Sequence, residues 1–198
     1  MQVILASQSP RRRDLLTRMG VDFTVVPSDF DEYLDDNRSP DEIATELALG
    51  KARAIAKQYP DSIVIGADTI VTIDGQQLGK PEDADDAHRI IKMLAGKTNY
   101  ISTGLAVICL ADDVQLTGVG TADVFFKPYN EADVAAYVAT GDPLDKAGAY
   151  SIQNATALIA SINGDYDAIM GLPTKLLAEW LQQLGVAAHS VELDNPLA

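Results

Sequence analysis

The sequence predicts an α/β fold built on a mixed sheet, and three observations carry that prediction. Short apolar runs alternate with amphipathic segments of helical spacing through the first half of the chain. Two long β-like runs, Tyr100 to Leu110 and Val114 to Phe126, flank Asp112-Asp113 and read as a hairpin. Strand and helix signals then continue to about Leu184, with no internal repeat and no low-complexity linker.

The elements follow in order. Gln2 to Ala6 is a short apolar run and reads as a buried strand. Pro10 suits the first turn of a helix, Leu15, Leu16 and Met19 keep helical spacing, and Gly20 stops it. Phe23 to Val26 is a second strand, followed by the acidic loop PSDFDEYLDDN. Ser39-Pro40-Asp41-Glu42 is a capping box with proline at the first helical position, opening a helix to about Gln58. Ser62 to Ala67 is a strand, and Thr69 to Ile73 continues extended to a turn at Asp74-Gly75. Asp83 to Leu94 is helical, and Asn130 caps a helix to about Ala139. A glycine-rich loop, a strand around Ala157 to Ile162 and a helix from Thr174 to Leu184 complete the order. The tail from Ala187 reads as poorly ordered.

Charge narrows the function classes. The chain has 198 residues and a formal net charge of −14, and its mean field repels polyanions. Neither nucleic acid nor an anionic membrane surface is the expected partner. No run of about 18 apolar residues marks a membrane span. MQVILASQSP lacks a basic leading segment and reads as a strand rather than a leader. The single cysteine, Cys109, supports neither a disulfide framework nor a thiolate metal site, so a reducing, cytoplasmic setting is expected.

Against that acidic background, SQSPRRRDLL stands out. The strand–loop–helix order places Ser7 to Arg12 at a helix N-terminus, where unpaired N–H groups and the helix dipole favour an anion. Arg11, Arg12 and Arg13 are unfavourable there for the isolated helix and suit a bound phosphate chain. A solvated basic turn paired with the acidic surface explains the same residues equally well. Lys51 is sharper. Ile43, Leu47, Ala48 and Ile55 define one face of its helix, and Lys51 falls in the middle of that face, where it must either snorkel out or meet an anion, and its mid-helix place favours the anion. Asp68 interrupts an apolar strand, at a place where α/β sheets bind ligands or where an aspartate caps a turn. Lys80 follows Gly79 and precedes Pro81 on a loop of restricted shape. Glu32, in Asp29-Phe30-Asp31-Glu32, is a carboxylate able to hold a hard cation, although such acidic loops are more often merely solvated. Together Arg12, Lys51 and Lys80 suit phosphates, while Glu32 and Asp68 suit Mg²⁺, which are the parts of a metal-assisted phosphoanhydride site. The sequence has no GxxxxGK[ST] loop, no GxSxG elbow and no histidine pair at metal spacing.

The segments LASQSPRRRDLL, DFDE, LALGKARAIA, VIGADTIV, LGKP, GDPLDKAGAYSIQ and GDYDAIMGLP, in this order, resemble the Maf-type nucleotide pyrophosphatases, once called septum-formation proteins. The resemblance implies one domain over residues 1–186, two-lobed around a central cleft like the inosine triphosphate pyrophosphatases, with the tail at 187–198. It implies hydrolysis of a nucleoside triphosphate between the α- and β-phosphates, with Mg²⁺ or alternatively Mn²⁺ or Co²⁺. It assigns the catalytic carboxylate to Asp68, phosphate-site cations to Arg12, Lys51 and Lys80, and a metal-linked acid to Glu32. Ser7 and Arg11 join the substrate-binding loop, and Arg12, Thr69 and Gln153 are tied to substrate choice. The SPRR stretch and the DKAGAY segment are similar to the branch acting on dTTP and UTP, with modified pyrimidine nucleotides as further substrates. Relatives are often homodimers, and a non-catalytic nucleotide-binding regulator of cell division is the alternative role. One departure concerns shape. The usual GIQG reads Ser151-Ile152-Gln153-Asn154 here, and a requirement for positive φ at either flank would reshape the loop. Asn99, where many relatives have histidine, reads as peripheral.

Overall fold

Three buried apolar residues, Val3–Leu5, form strand β1, which pairs in parallel on both of its edges and so founds the sheet. The computed structural model describes residues 1–30, 38–193, 195 and 197. After β1 come α1 (Pro10–Arg18), β2 (Thr24–Val25), α2 (Pro40–Ala56), β3 (Ile63–Ile73), β4 (Gln76–Leu78) and α3 (Ala84–Leu94). There follow β5 (Thr98–Cys109), β6 (Val114–Phe126), α4 (Glu131–Val138), and 3₁₀ turns at Asp142–Asp145 and Ala147–Ala149. β7 (Ile159–Gly164), α5 (Tyr166–Met170) and α6 (Thr174–Gln183) complete the chain. The strands make one seven-stranded mixed sheet in the order β2-β1-β3-β5-β6-β7, with β4 on β3. β1 is parallel to β2 and β3, while β3–β4 and β6–β7 are antiparallel. The predicted α/β class with a mixed sheet is what forms.

The chain divides into two compact units. The first gathers Met1–Thr69, Ser102–Gly120 and Asp167–Leu193; the second is chiefly Ile70–Ile101 and Thr121–Tyr166. In the first, α2 lies against the sheet through Ala48, Ala52, Ile55 and Ala56, packed with Ile4, Val64, Ala106 and Ile108. Two glycines permit that approach. A Cβ on Gly66 would sit 2.3 Å from the Ala48 carbonyl, and one on Gly104 would sit 2.1 Å from that of Ala44. Small residues on both surfaces bring helix backbone almost onto strand backbone, and this seats Lys51 over β3.

Local capping chemistry sets where the helices begin. Ser9 accepts from the Arg12 N–H ahead of Pro10, and Ser39 and Glu42 close a full capping box. β3 departs from the expected break: Asp68 does not end a strand but lies inside an unbroken run of 11 residues. Only β1 leaves there, its last β3 partner being Ile65. The short β4 and α5 had no signal of their own, since β4 forms by folding back on β3 after Asp74 (φ 50°) and Gly75 (φ 79°). The segment read as a loose tail is tied to the rest of the chain: the Ala188 carbonyl accepts from Gln182 Nε2 at 2.6 Å, the His189 N–H donates to the Met19 carbonyl at 3.2 Å, and the Val191 N–H donates to Thr174 Oγ1 at 3.1 Å. Among the described residues, no helix is long and apolar enough to cross a membrane.

Candidate functional site

Arg12 is the organised member of the arginine cluster, while Arg11 and Arg13 remain exposed. α1 carries no acidic residue in its first turn, so nothing within the helix neutralises this end. The Arg12 guanidinium is held from three sides: Nε donates to the Gly171 carbonyl at 2.8 Å, Nη1 to Ser7 Oγ at 3.2 Å and Nη2 to Thr69 Oγ1 at 3.1 Å. Ser7 Oγ also accepts from the Ser9 N–H at 3.2 Å. Both lone pairs of Ser7 are thereby engaged, which leaves its hydroxyl proton to donate elsewhere.

A hydroxyl relay backs the arginine. Thr103 Oγ1 donates to the Ala168 carbonyl at 2.7 Å and lies 2.8 Å from Thr69 Oγ1. Because the Thr103 proton is committed to Ala168, Thr69 must donate to Thr103 and accept from Arg12. Sequence reasoning missed Thr103 and Gly171. A hydroxyl in the apolar run ISTGLAVIC was the available hint for the first. The second is a backbone acceptor 159 residues from its donor, and its positive φ of 98° leaves no trace beyond the glycine itself.

Lys51 meets the anion its position demanded. Its Nζ lies 2.5 Å from Asp68 Oδ1, with the two side chains only 16% and 12% exposed. Removing two charges from water in this way is weak evidence for stability, because desolvation offsets their attraction, so the pair is better explained by use than by stability. Asp68 projects from β3 on the Gly66 side, toward α2, and the next residue, Thr69, projects to the opposite face. The site is thus wrapped around β3 where β1 turns off into the Ser7 loop, the position at which open α/β sheets hold ligands. Phe30 is seated on Gly50, beside Lys51: a Cβ on Gly50 would lie 2.4 Å from the Phe30 ring.

Within the first unit, then, Ser7, Arg12 and Thr69 gather on one face of β3 and Lys51 meets Asp68 on the other, the two groups joined through the Asp68–Thr69 backbone. Lys80 and Gln153 belong to the second unit, both exposed. Their loops are joined there, the Gly148 N–H donating to the Gly79 carbonyl at 3.0 Å. Ser151 and Asn154 both keep negative φ, so the loop around Gln153 is not strained at those positions; the left-handed residues nearby are Gly148 (φ 74°) and Ala149 (φ 59°). Asn99 is fully buried, and its Oδ1 accepts from the Tyr150 hydroxyl at 3.1 Å. Glu32 lies outside the described residues.

Among the described residues no cluster of three His, Cys, Asp or Glu could hold a metal by itself. Asp68 is the described carboxylate of the site, and Mg²⁺ commonly takes one or two carboxylates and completes its shell with water and substrate phosphates. A cavity of about 550 Å³ lies instead by the amino end of β1, lined by Met1, Gln2, Phe23, Thr24, Leu184 and Val186 among others. No lysine or arginine lines it, so it has no means of holding a phosphate chain.

Comparison with known proteins identifies the family. A dTTP/UTP pyrophosphatase of Dictyoglomus thermophilum is 45% identical over 186 residues, covering 93% of this chain and 96% of that one. Proteins of the same name from Symbiobacterium thermophilum and Desulfotalea psychrophila are 45% and 41% identical, covering 93% and 92% of this chain and 94% and 92% of theirs. The solved structure of the Staphylococcus aureus Ham1 protein superposes with a TM-score of 0.52 at 16% identity, over 93% of this chain and all of that one, and shares the fold. The family model for Maf-like proteins matches residues 2–184, and the chain belongs to the Maf family.

Proposed function

We propose that this protein is a nucleoside triphosphate pyrophosphatase that cleaves dTTP and UTP to the monophosphate and pyrophosphate. The observation that carries the reading is the pairing of Lys51 on α2 with Asp68 on β3, one residue from the threonine that holds Arg12. A carboxylate able to take a proton and the hydroxyl that orients an arginine are thereby fixed on adjacent residues of β3, with Lys51 brought to the first from α2 and Arg12 to the second from α1. The names of the relatives, at 41–45% identity over nearly the whole chain, support the choice of substrate.

Asp68 orients water for in-line attack on the α-phosphorus and accepts its proton. Lys51 fixes that carboxylate and, with Arg12 and Lys80, stabilises charge on the non-bridging oxygens and the departing pyrophosphate; positioned charges of this kind are worth several kcal/mol of barrier. Ser7 donates its hydroxyl proton, and Arg11 its charge, to the phosphate chain. Base choice is assigned to Thr69 and Gln153, the Gln153 amide offering both a donor and an acceptor to a pyrimidine edge. Asp68, with Glu32, would hold a divalent cation. That cation, Mg²⁺ or alternatively Mn²⁺ or Co²⁺, neutralises the triphosphate when bound. The reading includes cytoplasmic action and permits a homodimer, which sedimentation checks.

The test is a pyrophosphate assay on purified protein with Mg²⁺ and a panel of dTTP, UTP, CTP, 5-methyl-UTP, pseudo-UTP and 7-methyl-GTP. Release of pyrophosphate from dTTP and UTP is expected, and its loss in Arg12→Ala at unchanged melting temperature places Arg12 in the site. Tight binding of these nucleotides with no release would instead favour the regulator.

A further inference from the structure

One carboxylate in the second unit holds both flanks of the Gln153 turn. Asp142 Oδ2 accepts from Ser151 Oγ at 2.8 Å and from the Tyr137 hydroxyl at 2.5 Å. Its Oδ1 accepts from Asn154 Nδ2 at 2.7 Å and lies 3.3 Å from Lys146 Nζ. Tyr137 closes the circuit, since its oxygen accepts the Ser151 N–H at 3.0 Å. The turn is also closed on itself, the Ala155 N–H donating to the Ser151 carbonyl at 2.9 Å and the Asn154 N–H to Ser151 Oγ at 3.3 Å. The two side chains of the turn that reach Asp142, Ser151 and Asn154, are those on either side of Ile152 and Gln153. Ile152 is buried, while Gln153 is exposed at the tip. So much hydrogen bonding fixes the backbone beneath an exposed amide that contributes nothing to the core. Lys146 further offsets the Asp142 charge, so the clamp does not set an uncompensated anion beside a ligand rich in negative charge.

We propose that Asp142 is a positioning residue for base selection: through Ser151 and Asn154 it holds the turn that presents Gln153, so the pyrimidine edge meets an amide already in place. This rests on the reading of Gln153 as the base contact. Ordering a loose side chain on binding costs about 0.5–1.5 kcal/mol, and a turn fixed beforehand avoids much of that cost.

The test compares Ser151→Gly/Asn154→Gly, Asn154→Gly alone and Gln153→Ala with the native protein, using dTTP, UTP and CTP. Inorganic tripolyphosphate, which has no base, serves as a competitive inhibitor. The double variant is expected to raise KM for dTTP and UTP about three- to tenfold with kcat unchanged, to lose dTTP-over-CTP preference by the same factor, and to leave tripolyphosphate inhibition unaltered. Asn154 is exposed, so its single variant folds and shows the same change in smaller degree. Unchanged KM and preference in the glycine variants, with preference lost in Gln153→Ala, overturn the clamp alone. Tripolyphosphate inhibition that weakens in step with KM overturns it too, as general damage. Preference retained in Gln153→Ala overturns the reading of Gln153 and the clamp with it.

Discussion

A single guanidinium shows how one residue is specified from distant parts of a chain. Arg12 takes its orientation from Ser7, 5 positions away, from Thr69, 57 away, and from Gly171, 159 away. Only the first is local, so the sequence marks the arginine as anomalous without revealing what aims it. Lys51 and Asp68 were legible for the opposite reason: each breaks an apolar pattern that its own element defines, and two such breaks imply each other. Asp68→Asn keeps the shape of the side chain and its contact with Lys51 while removing the proton acceptor. Turnover of dTTP is expected to fall about 10²- to 10⁴-fold at temperatures where the variant is fully folded, its melting temperature being lowered because the Lys51 charge is left uncompensated, and near-native turnover would remove Asp68 from the chemistry. Thr103→Val addresses the relay. The Thr69 hydroxyl proton loses its acceptor and the Ala168 carbonyl loses one of its donors, keeping the Gly171 N–H, beside a fully buried position. The expected cost is about 1–3 kcal/mol in urea unfolding, with a higher KM because Arg12 loses its backing.

The helices of this fold announce themselves more clearly than its short strands do. Ser9-Pro10 and Ser39-Pro40-Asp41-Glu42 fix the starts of α1 and α2 by chemistry confined to one turn. β4 has three residues and exists only because β3 offers it an edge. What no local pattern reveals is the spacing between α2 and the sheet, since Gly66 and Gly104 look like ordinary weak points in strands. The structure gives them a task, which is to let α2 approach until Lys51 reaches Asp68. Gly66→Ala would place a methyl group 2.3 Å from the Ala48 carbonyl. Backbone cannot yield as a side-chain tip can, so α2 must move outward at a cost of about 1–3 kcal/mol. In a domain of this size that lowers the melting temperature by roughly 2–4 °C per kcal/mol. Gly79→Ala is the stability control, because nothing lies within 4 Å of a Cβ there. Turnover in Gly66→Ala should fall at temperatures where it remains fully folded, since the Lys51–Asp68 distance has grown. Equal melting temperatures for the two variants would show that the contact is not tight.

At the scale of the whole molecule, charge acts in two opposed directions as pH falls. With a net charge of −14, self-repulsion weakens the folded state at neutral pH, and protonation of scattered carboxylates relieves it. Particular acids pull the other way. Burial opposes ionisation of Asp142, but hydrogen bonds from Tyr137, Asn154 and Ser151 and the Lys146 charge outweigh it and hold the carboxyl at about 2, below the ordinary 3.8. Glu42, held by the Ser39 N–H and hydroxyl, Asp86 by Arg89 and Glu131 by Lys92 are also lowered. A carboxyl lowered on folding adds stability above its unfolded pKa and loses it as pH drops through the folded one. For Asp142 the contribution is full above about pH 4 and gone below about pH 2. It amounts to about 1–2 kcal/mol once screening by water is allowed for. Stability is therefore expected to hold or rise slightly from pH 7 toward 5, then fall steeply between 4 and 2. Added salt should raise the melting temperature at pH 7, where repulsion dominates, and have less effect near pH 5. Asp142→Asn should be less stable at pH 7 and show a shallower decline between pH 4 and 2, because one of the groups taking up protons there is gone. Parallel curves for the two proteins across that interval would mean that the Asp142 hydrogen bonds carry no net preference for the charged form.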